Sequence, residues 1–344
     1  MDRVIQMVRQ IPPISRSWLG LAIVVSILNS NNILPTLKFT FLPGRIGVEP
    51  WRILVLFCYF GPLSLLLIIN LINIRDAMSA LESGFVNDES VLPEWMTRDL
   101  DELLRDQLNA QFERHRVRDF AYFLGQMATT ITLEVYIIYR LFGFTGPSLV
   151  FLGPILHDSI VYTWGKTYPE AEMFLLLVPL RAKYTYWMLE FIHFLISPGF
   201  FEVVRAYKVG FLTGLYKLFT YPSTVKVMVV VLVAHFWWFM RSFITESMYN
   251  DTKTASRRNW KNAYNEIAPG MSTRNVYCRI VQVVLTPPWY WLISRSIRSQ
   301  QRIRAILAAR MTELEAEVNV EANAEANAEA ITHGEGGTGD IADD

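Results

Sequence analysis

Residues 49–74 read E-P-W-R-I-L-V-L-F-C-Y-F-G-P-L-S-L-L-L-I-I-N-L-I-N-I. A Trp51-Arg52 pair stands at the mouth of this stretch, Gly61-Pro62 interrupts it and Asn70 marks its far end. The mostly apolar run after the pair has the length of a membrane-spanning helix, roughly 20 residues at about 1.5 Å rise each. Working outward, the 344 residues are 52% apolar and 19% charged, whereas soluble domains carry about a quarter charged residues. Much of that charge sits in two blocks, residues 75–118 and the tail after Arg295, so the remainder is more apolar than a mean hydropathy of +0.24 conveys. The composition is that of an all-α polytopic membrane protein.

On either side, further apolar runs suggest a bundle. A polar lead, residues 1–17, precedes an uncleaved first span at about 18–37. Residues 120–142 and 147–164 supply the third and fourth spans. A fifth opens at 184–196 and ends at Ser197-Pro198-Gly199, and a sixth covers 200–219 up to Tyr221-Pro222. Residues 173–179 are apolar but too short to cross. Basic residues favour the cytosolic side, and Arg75, Arg114, Arg116, Arg118, Lys166, Arg181 and Lys183 place both termini there. Within the hydrophilic loop 75–118, Leu100, Leu103, Leu104 and Leu108 mark one face of a charged helix.

Residues 225–244 disturb this count. They are long enough to cross, yet Lys253, Arg257, Arg258 and Lys261 follow. An interfacial helix, a seventh span and a hairpin returning through residues 276–293 all remain open. The sequon Asn250-Asp251-Thr252 offers a topology reporter. The domains expected are therefore a lead (1–17), a membrane domain (18–222), an extra hydrophobic segment (223–293) and a cytosolic tail (294–344). In the tail, Ile303, Leu307, Met311, Leu314 and Val318 recur at helical spacing and suit a partner or membrane surface. A Glu-Ala-Asn repeat and a Gly- and Asp-rich end of disordered composition follow.

Zero net charge gives no bulk attraction to nucleic acid. Two cysteines, Cys58 and Cys278, make neither a disulfide framework nor a metal site. No P-loop, dinucleotide-binding glycine pattern or metal-binding helix motif is present, so neither cofactor nor metal is expected. His157-Asp158-Ser159 has the residue types of a hydrolytic triad, but successive helical positions point in different directions and no relay is expected. Glu134, Asp158 and Glu190 lie at membrane depth, where ionisable groups pair with one another or line a water-filled path. His193, one turn beyond Glu190, is placed to hydrogen-bond it. Gly210 and Gly214 form a G-x-x-x-G, which allows close helix approach.

Together these features resemble the derlin family, rhomboid-related pseudoproteases of the endoplasmic reticulum. The resemblance runs from Ile11 to about Pro222. It is carried by I-P-P-I-S-R (11–16), P-W-R-I-L-V-L-F-C-Y-F-G-P-L-S-L (50–65), Asn70, L-E-S-G-F (81–85), D-F-A-Y (119–122), F-L-G-P-I-L-H-D-S-I-V-Y-T-W (151–164), A-K-Y-T-Y-W (182–187) and G-F-L-T-G-L-Y (210–216). Active rhomboids place a serine about nine residues before Tyr-x-Trp; counting back from Tyr162 gives Gly153. They place a histidine three residues before G-x-x-x-G; counting back from Gly210 gives Tyr207. Ser–His attack is thus not expected.

The resemblance implies a six-span rhomboid-like bundle in the endoplasmic-reticulum membrane that binds misfolded lumenal or membrane clients. It would assist their retrotranslocation for ubiquitination and proteasomal degradation. The implied partners are a membrane ubiquitin ligase complex and a cytosolic AAA ATPase, although no docking box for the latter is recognisable. In this reading Trp51, Arg52, Asn70, Gly210 and Gly214 form the fold and function motif. Arg52 orders the loop by donating to backbone carbonyls, and Trp51 sits at headgroup level. A scaffold or trafficking adaptor and an active intramembrane protease are the alternatives.

Overall fold

The computed structural model describes residues 6–334 apart from 7, 47, 50, 88–90, 98–99, 144–146, 176–177, 242–279 and 281. The sequon at Asn250 and the basic group from Lys253 to Lys261 lie outside the described residues. The chain divides into two compact units, residues 1–94 with 109–287 and residues 95–108 with 288–344.

The larger unit is helical. Its helices are α1 (Pro13–Ser30), α2 (Trp51–Leu56), α3 (Leu65–Gly84), α4 (Glu102–Phe142, from residue 109 onward), α5 (Leu152–Thr167), α6 (Ala182–Ile196), α7 (Pro198–Val209), α8 (Phe211–Thr220) and α9 (Pro222–Phe239). The apolar piece at 173–179 is neither a helix nor a span. It belongs to an antiparallel hairpin of β1 (Glu172–Leu175) and β2 (Val178–Arg181), with Glu172 opposite Arg181 and Leu175 opposite Val178.

The opening stretch is not one helix. α2 stops at Leu56, and the chain runs irregularly to Ser64, whose side chain accepts from Leu67 N and starts α3. Gly61 has φ +107°, a conformation costly for residues with a Cβ. The irregular segment is packed inside: Phe57, Cys58, Tyr59 and Phe60 are all buried. Backbone polar groups there need partners, and Trp18 Nε1 supplies one to Phe57 O at 3.0 Å. Tyr59 stacks on Phe39 and donates to Asn29 Oδ1 at 2.9 Å.

Two of the sequence motifs meet at the start of α1. Glu82, buried on α3, accepts from Ile14 N, Ser15 N and Ser15 Oγ at 3.0, 2.8 and 2.7 Å. A carboxylate there satisfies orphan amides and opposes the positive end of the helix dipole. Pro12-Pro13 has no amide hydrogen to be left over, which suits a helix entry.

α5 is the hub. Every residue from Ile155 to Gly165 is buried, because α3, α6 and α9 all pack on it. A helix apolar or sealed all round belongs at the centre of a bundle. On α4, Phe120, Phe123, Met127, Ile131 and Val135 are buried at three- and four-residue spacing, the single stripe of a peripheral helix.

The largest departure from the sequence reading concerns the sixth span. Residues 200–219 do not form one helix. α7 and α8 pack against each other, and their ends close where Gly199 abuts the Tyr221 ring. The helix beside α5 is α9, from the segment read as extra. Among the described residues α9 is the one helix long and apolar enough to cross a membrane by itself; α6 with residues 199–209 would make a second only across a 75° bend. Trp237 Nε1 donates to Thr130 Oγ1 on α4 at 3.1 Å. Just beyond α9, Arg241 is fully buried, donates to Asn87 Oδ1 at 3.1 Å, and lies 4.8 and 4.9 Å from the Phe85 and Phe123 ring centres. Asn87 in turn donates to Asp119 at 2.7 Å. The expected boundary at residue 222 therefore coincides with the start of a core helix.

The smaller unit centres on α10 (Pro288–Gly334), which continues through the Glu-Ala-Asn repeat, since Ala and Glu are strong helix formers. Its start is held by an aromatic contact between Trp291 and Trp95 at 5.4 Å, with the Arg298 guanidinium over the Trp95 ring. Leu100, Leu104 and Leu108 are buried, but Leu103, expected beside them, is exposed. Ile303, Leu307, Met311 and Leu314 are exposed on α10.

Candidate functional site

The Trp-Arg pair opens α2, and its members part company. Arg52 is buried, donating to Leu37 O at 2.6 Å and to Glu49 Oε2 at 3.1 Å. Leu37 lies in a 3-10 turn (Thr36–Phe39), so the guanidinium ties the connection after α1 to the start of α2. Trp51 points outward and is exposed. Asn70 is half-buried on α3.

Gly153 lies in the first turn of α5, against the inserted segment. A Cβ at this position would stand 2.6 Å from Tyr59 O and 3.2 Å from Phe57 O. A serine there would have to displace backbone. Tyr207 and Gly214 face one another across the α7–α8 turn, and a Cβ on Gly214 would overlap the Tyr207 ring. Gly210 sits at the turn in extended backbone, φ 176°, which any residue can adopt. The G-x-x-x-G therefore does not bring two helix backbones together as expected. One glycine lies in a turn and the other makes room for an aromatic ring.

The charged residues of α5 and α6 converge on a residue that the sequence reading left unassigned. Lys226, at the start of the second turn of α9, donates to Asp158 Oδ2 and to Glu190 Oε1, both at 2.8 Å. All three are buried. The partner expected for Glu190, His193, stands 3.9 Å away, too far for a hydrogen bond. His157 and Asp158 do touch, with Nδ1 2.8 Å from Oδ1, although neighbouring helical positions were expected to diverge. Ser159 takes no part: its hydroxyl donates to Ile155 O at 2.8 Å within the helix. The arrangement is a lock among three helices and not a nucleophilic relay. A lysine inside an otherwise apolar run was the one available signal for it.

Glu134 is the exception among the three carboxylates singled out in the sequence. It lies on α4 at the wall of a cavity of about 700 Å³, with Ile137 and Phe142 from the same helix, Tyr216 and Phe219 from α8, and Leu232 from α9. Its Oε2 is buried with no partner among the described residues.

A bundle that carries apolar side chains outward from α3, α6 and α9 while enclosing Lys226, Asp158, Glu190 and Arg241 has the polarity of a helical membrane protein. The model of the Der1-like family matches residues 11–231, which reaches into α9. The chain belongs to that family, the derlins, membrane proteins of the endoplasmic reticulum. Among curated proteins none matches the chain with significance.

Proposed function

We propose that this derlin serves endoplasmic-reticulum-associated degradation, binding misfolded lumenal or membrane proteins and assisting their passage to the cytosol for ubiquitination and proteolysis. It resides in the endoplasmic-reticulum membrane as a multi-pass protein. In this reading α1, α3, the later part of α4, α5, α6 and α9 are the crossing elements, and α7 with α8 forms a hairpin at one face.

The observation that carries the reading is a match to the Der1-like family over residues 11–231. The site agrees with a role that does not cut its clients. Where a rhomboid protease would hold its serine this chain has Gly153, with the carbonyls of Phe57 and Tyr59 in the space a side chain would need. An unmatched carboxylate oxygen at the wall of an apolar cavity, on Glu134, offers a partner to a chain that lipid alone would exclude. A membrane ubiquitin ligase complex and, through it, a cytosolic AAA ATPase are the proposed partners.

The test is a chase of a misfolded endoplasmic-reticulum client in cells with and without the protein. Slower client decay on its loss is the expected result. An unchanged rate refutes the reading and leaves a scaffold or trafficking adaptor. A rhomboid cleavage assay separates the third reading: cleavage that disappears in Ser159→Ala and persists in Gly153→Ala would establish a protease.

A further inference from the structure

We infer that the cavity beside Glu134 is a docking site for a client's transmembrane helix that carries a lysine or arginine near its middle. The inference rests on the proposed role in handling membrane clients, and it names the class for which this cavity selects.

Three observations carry it. First, the cavity opens at an apolar rim: Ile137, Phe142, Tyr216, Phe219 and Leu232 line it and are themselves exposed. In a membrane such a rim faces acyl chains or another helix. Second, about 700 Å³ is the volume of a site for a drug-sized group. A helix about 10 Å across would therefore seat one face there, a long side chain and its neighbours, and not its whole body. Third, the apolar walls contain one charged group, Glu134, and one of its oxygens has no partner among the described residues. Glu134 Oε2 is buried without a hydrogen bond among the described residues, whereas Asp158 and Glu190 both have Lys226.

A buried carboxylate oxygen left unmatched is costly, and a cation brought to it recovers a charge-assisted hydrogen bond. Depth selects the source of that cation. Glu134 lies eight residues before the end of α4 at Phe142, about 12 Å along the axis. In the proposed topology the end of α4 lies at the headgroup level, where lipid amines sit, so a donor at Glu134 has to come from a side chain carried into the membrane. A lone basic residue in an apolar helix is itself costly in lipid. It marks a membrane segment that has lost its proper partner, and pairing with Glu134 would give it a temporary one.

The experiment uses the full-length protein in lipid nanodiscs, with a photoreactive residue at Met228 on the cavity wall. The probes are two 21-residue Leu/Ala helices, one with a central lysine and one with a central methionine. Expected is at least fivefold more cross-linking to the lysine helix, and Glu134→Gln should reduce it to the methionine level. Equal labelling by both helices overturns the inference, as does a lysine preference that survives Glu134→Gln. Competition by a long-chain primary amine as effective as by the lysine helix overturns it too, because the site would then take a lipid amine. In cells, Glu134→Gln should slow decay of a client with a basic transmembrane helix and leave a soluble lumenal client unchanged. If loss of the whole protein slows neither client, the proposed function fails, while the cross-linking still decides the docking site.

Discussion

Two regions of the larger unit hold carboxylates among apolar helices, and they are built in opposite ways. At the junction of α5, α6 and α9, Asp158 and Glu190 share Lys226 at 2.8 Å each, and all three residues are buried. On α4, Glu134 faces an apolar cavity with one oxygen unmatched. Burying a charge is tolerated when it is paired and hydrogen-bonded. The first region meets that condition from within the chain and so fixes three helices. The second does not, and so leaves an attachment point. The contrast makes opposite demands on mutagenesis: the closed site should be fragile and the open one tolerant.

The largest expected effect comes from opening the closed site. Lys226→Met removes the shared cation and strands two buried carboxylates. Breaking a buried ion pair from one side costs roughly 3–5 kcal/mol, so the variant should lose most of its folded population in detergent, read as a fall in melting temperature and in cellular level. Adding Asp158→Asn and Glu190→Gln to Lys226→Met should recover a large part of the loss. If the single variant is as stable as the parent, the cluster is not a lock and the comparison collapses.

Next in size is Gly153→Ser, which asks whether the sealed character extends to the vacant protease position. The added Cβ would approach Tyr59 O to 2.6 Å, and overpacking of this kind costs about 1–3 kcal/mol. The variant should melt at lower temperature and should not cleave a rhomboid substrate. A neutral melting temperature would mean that the inserted segment yields easily and the site is less closed than its contacts indicate.

Glu82→Gln probes a third carboxylate, one matched by backbone amides and a hydroxyl and not by a cation. Loss of its negative charge at the start of α1 should cost about 1–2 kcal/mol. The measurement is the melting temperature, with greater protease sensitivity of the lead before Pro12 as a second readout. An unchanged melting temperature would show that hydrogen bonding suffices there without charge.

How far this contrast was legible in the sequence depended on the distance between partners. The helical class and the role of Arg52 as a donor to a backbone carbonyl rest on local composition and on groups 15 residues apart, whereas the loop expected over 75–118 gives residues 75–84 to α3 and 102–118 to α4, which runs unbroken into the third apolar run. Lys226 is 68 residues from Asp158 and 36 from Glu190, and nothing local pairs them. His193, one turn from Glu190, was the nearest visible partner, but a full cation arriving from α9 makes the closer contact. Residues 200–219, expected as one span, form two helices for a related reason. Residues 200–219 contain Glu202, Arg205, Lys208 and Lys217, while residues 225–239 are almost free of charge. That difference in hydropathy, and the cost of bringing four charges into lipid, set the two segments apart more clearly than the G-x-x-x-G motif does. The break at Gly61 was visible as a turn signal. Its consequence, a buried irregular segment against Gly153, depends on contacts between residues about ninety positions apart in the sequence.

The smallest expected change in stability is the most informative about the open region. Glu134→Gln removes a charge that no described residue matches, so it should leave the melting temperature unchanged or raise it slightly, by the equivalent of up to about 1 kcal/mol for a half-exposed group relieved of partial burial. That outcome alone would separate Glu134 from Asp158, whose substitution by Asn should be strongly destabilising because Lys226 then loses half its compensation. A marked fall in melting temperature for Glu134→Gln would instead mean that the carboxylate is matched within the folded protein, and the cavity would have no vacant charge to offer. A carboxylate that costs the fold a little, survives replacement without damage and faces an open apolar cavity is explained by a contact outside the folded chain, since the stability of the bundle gives no reason to keep it.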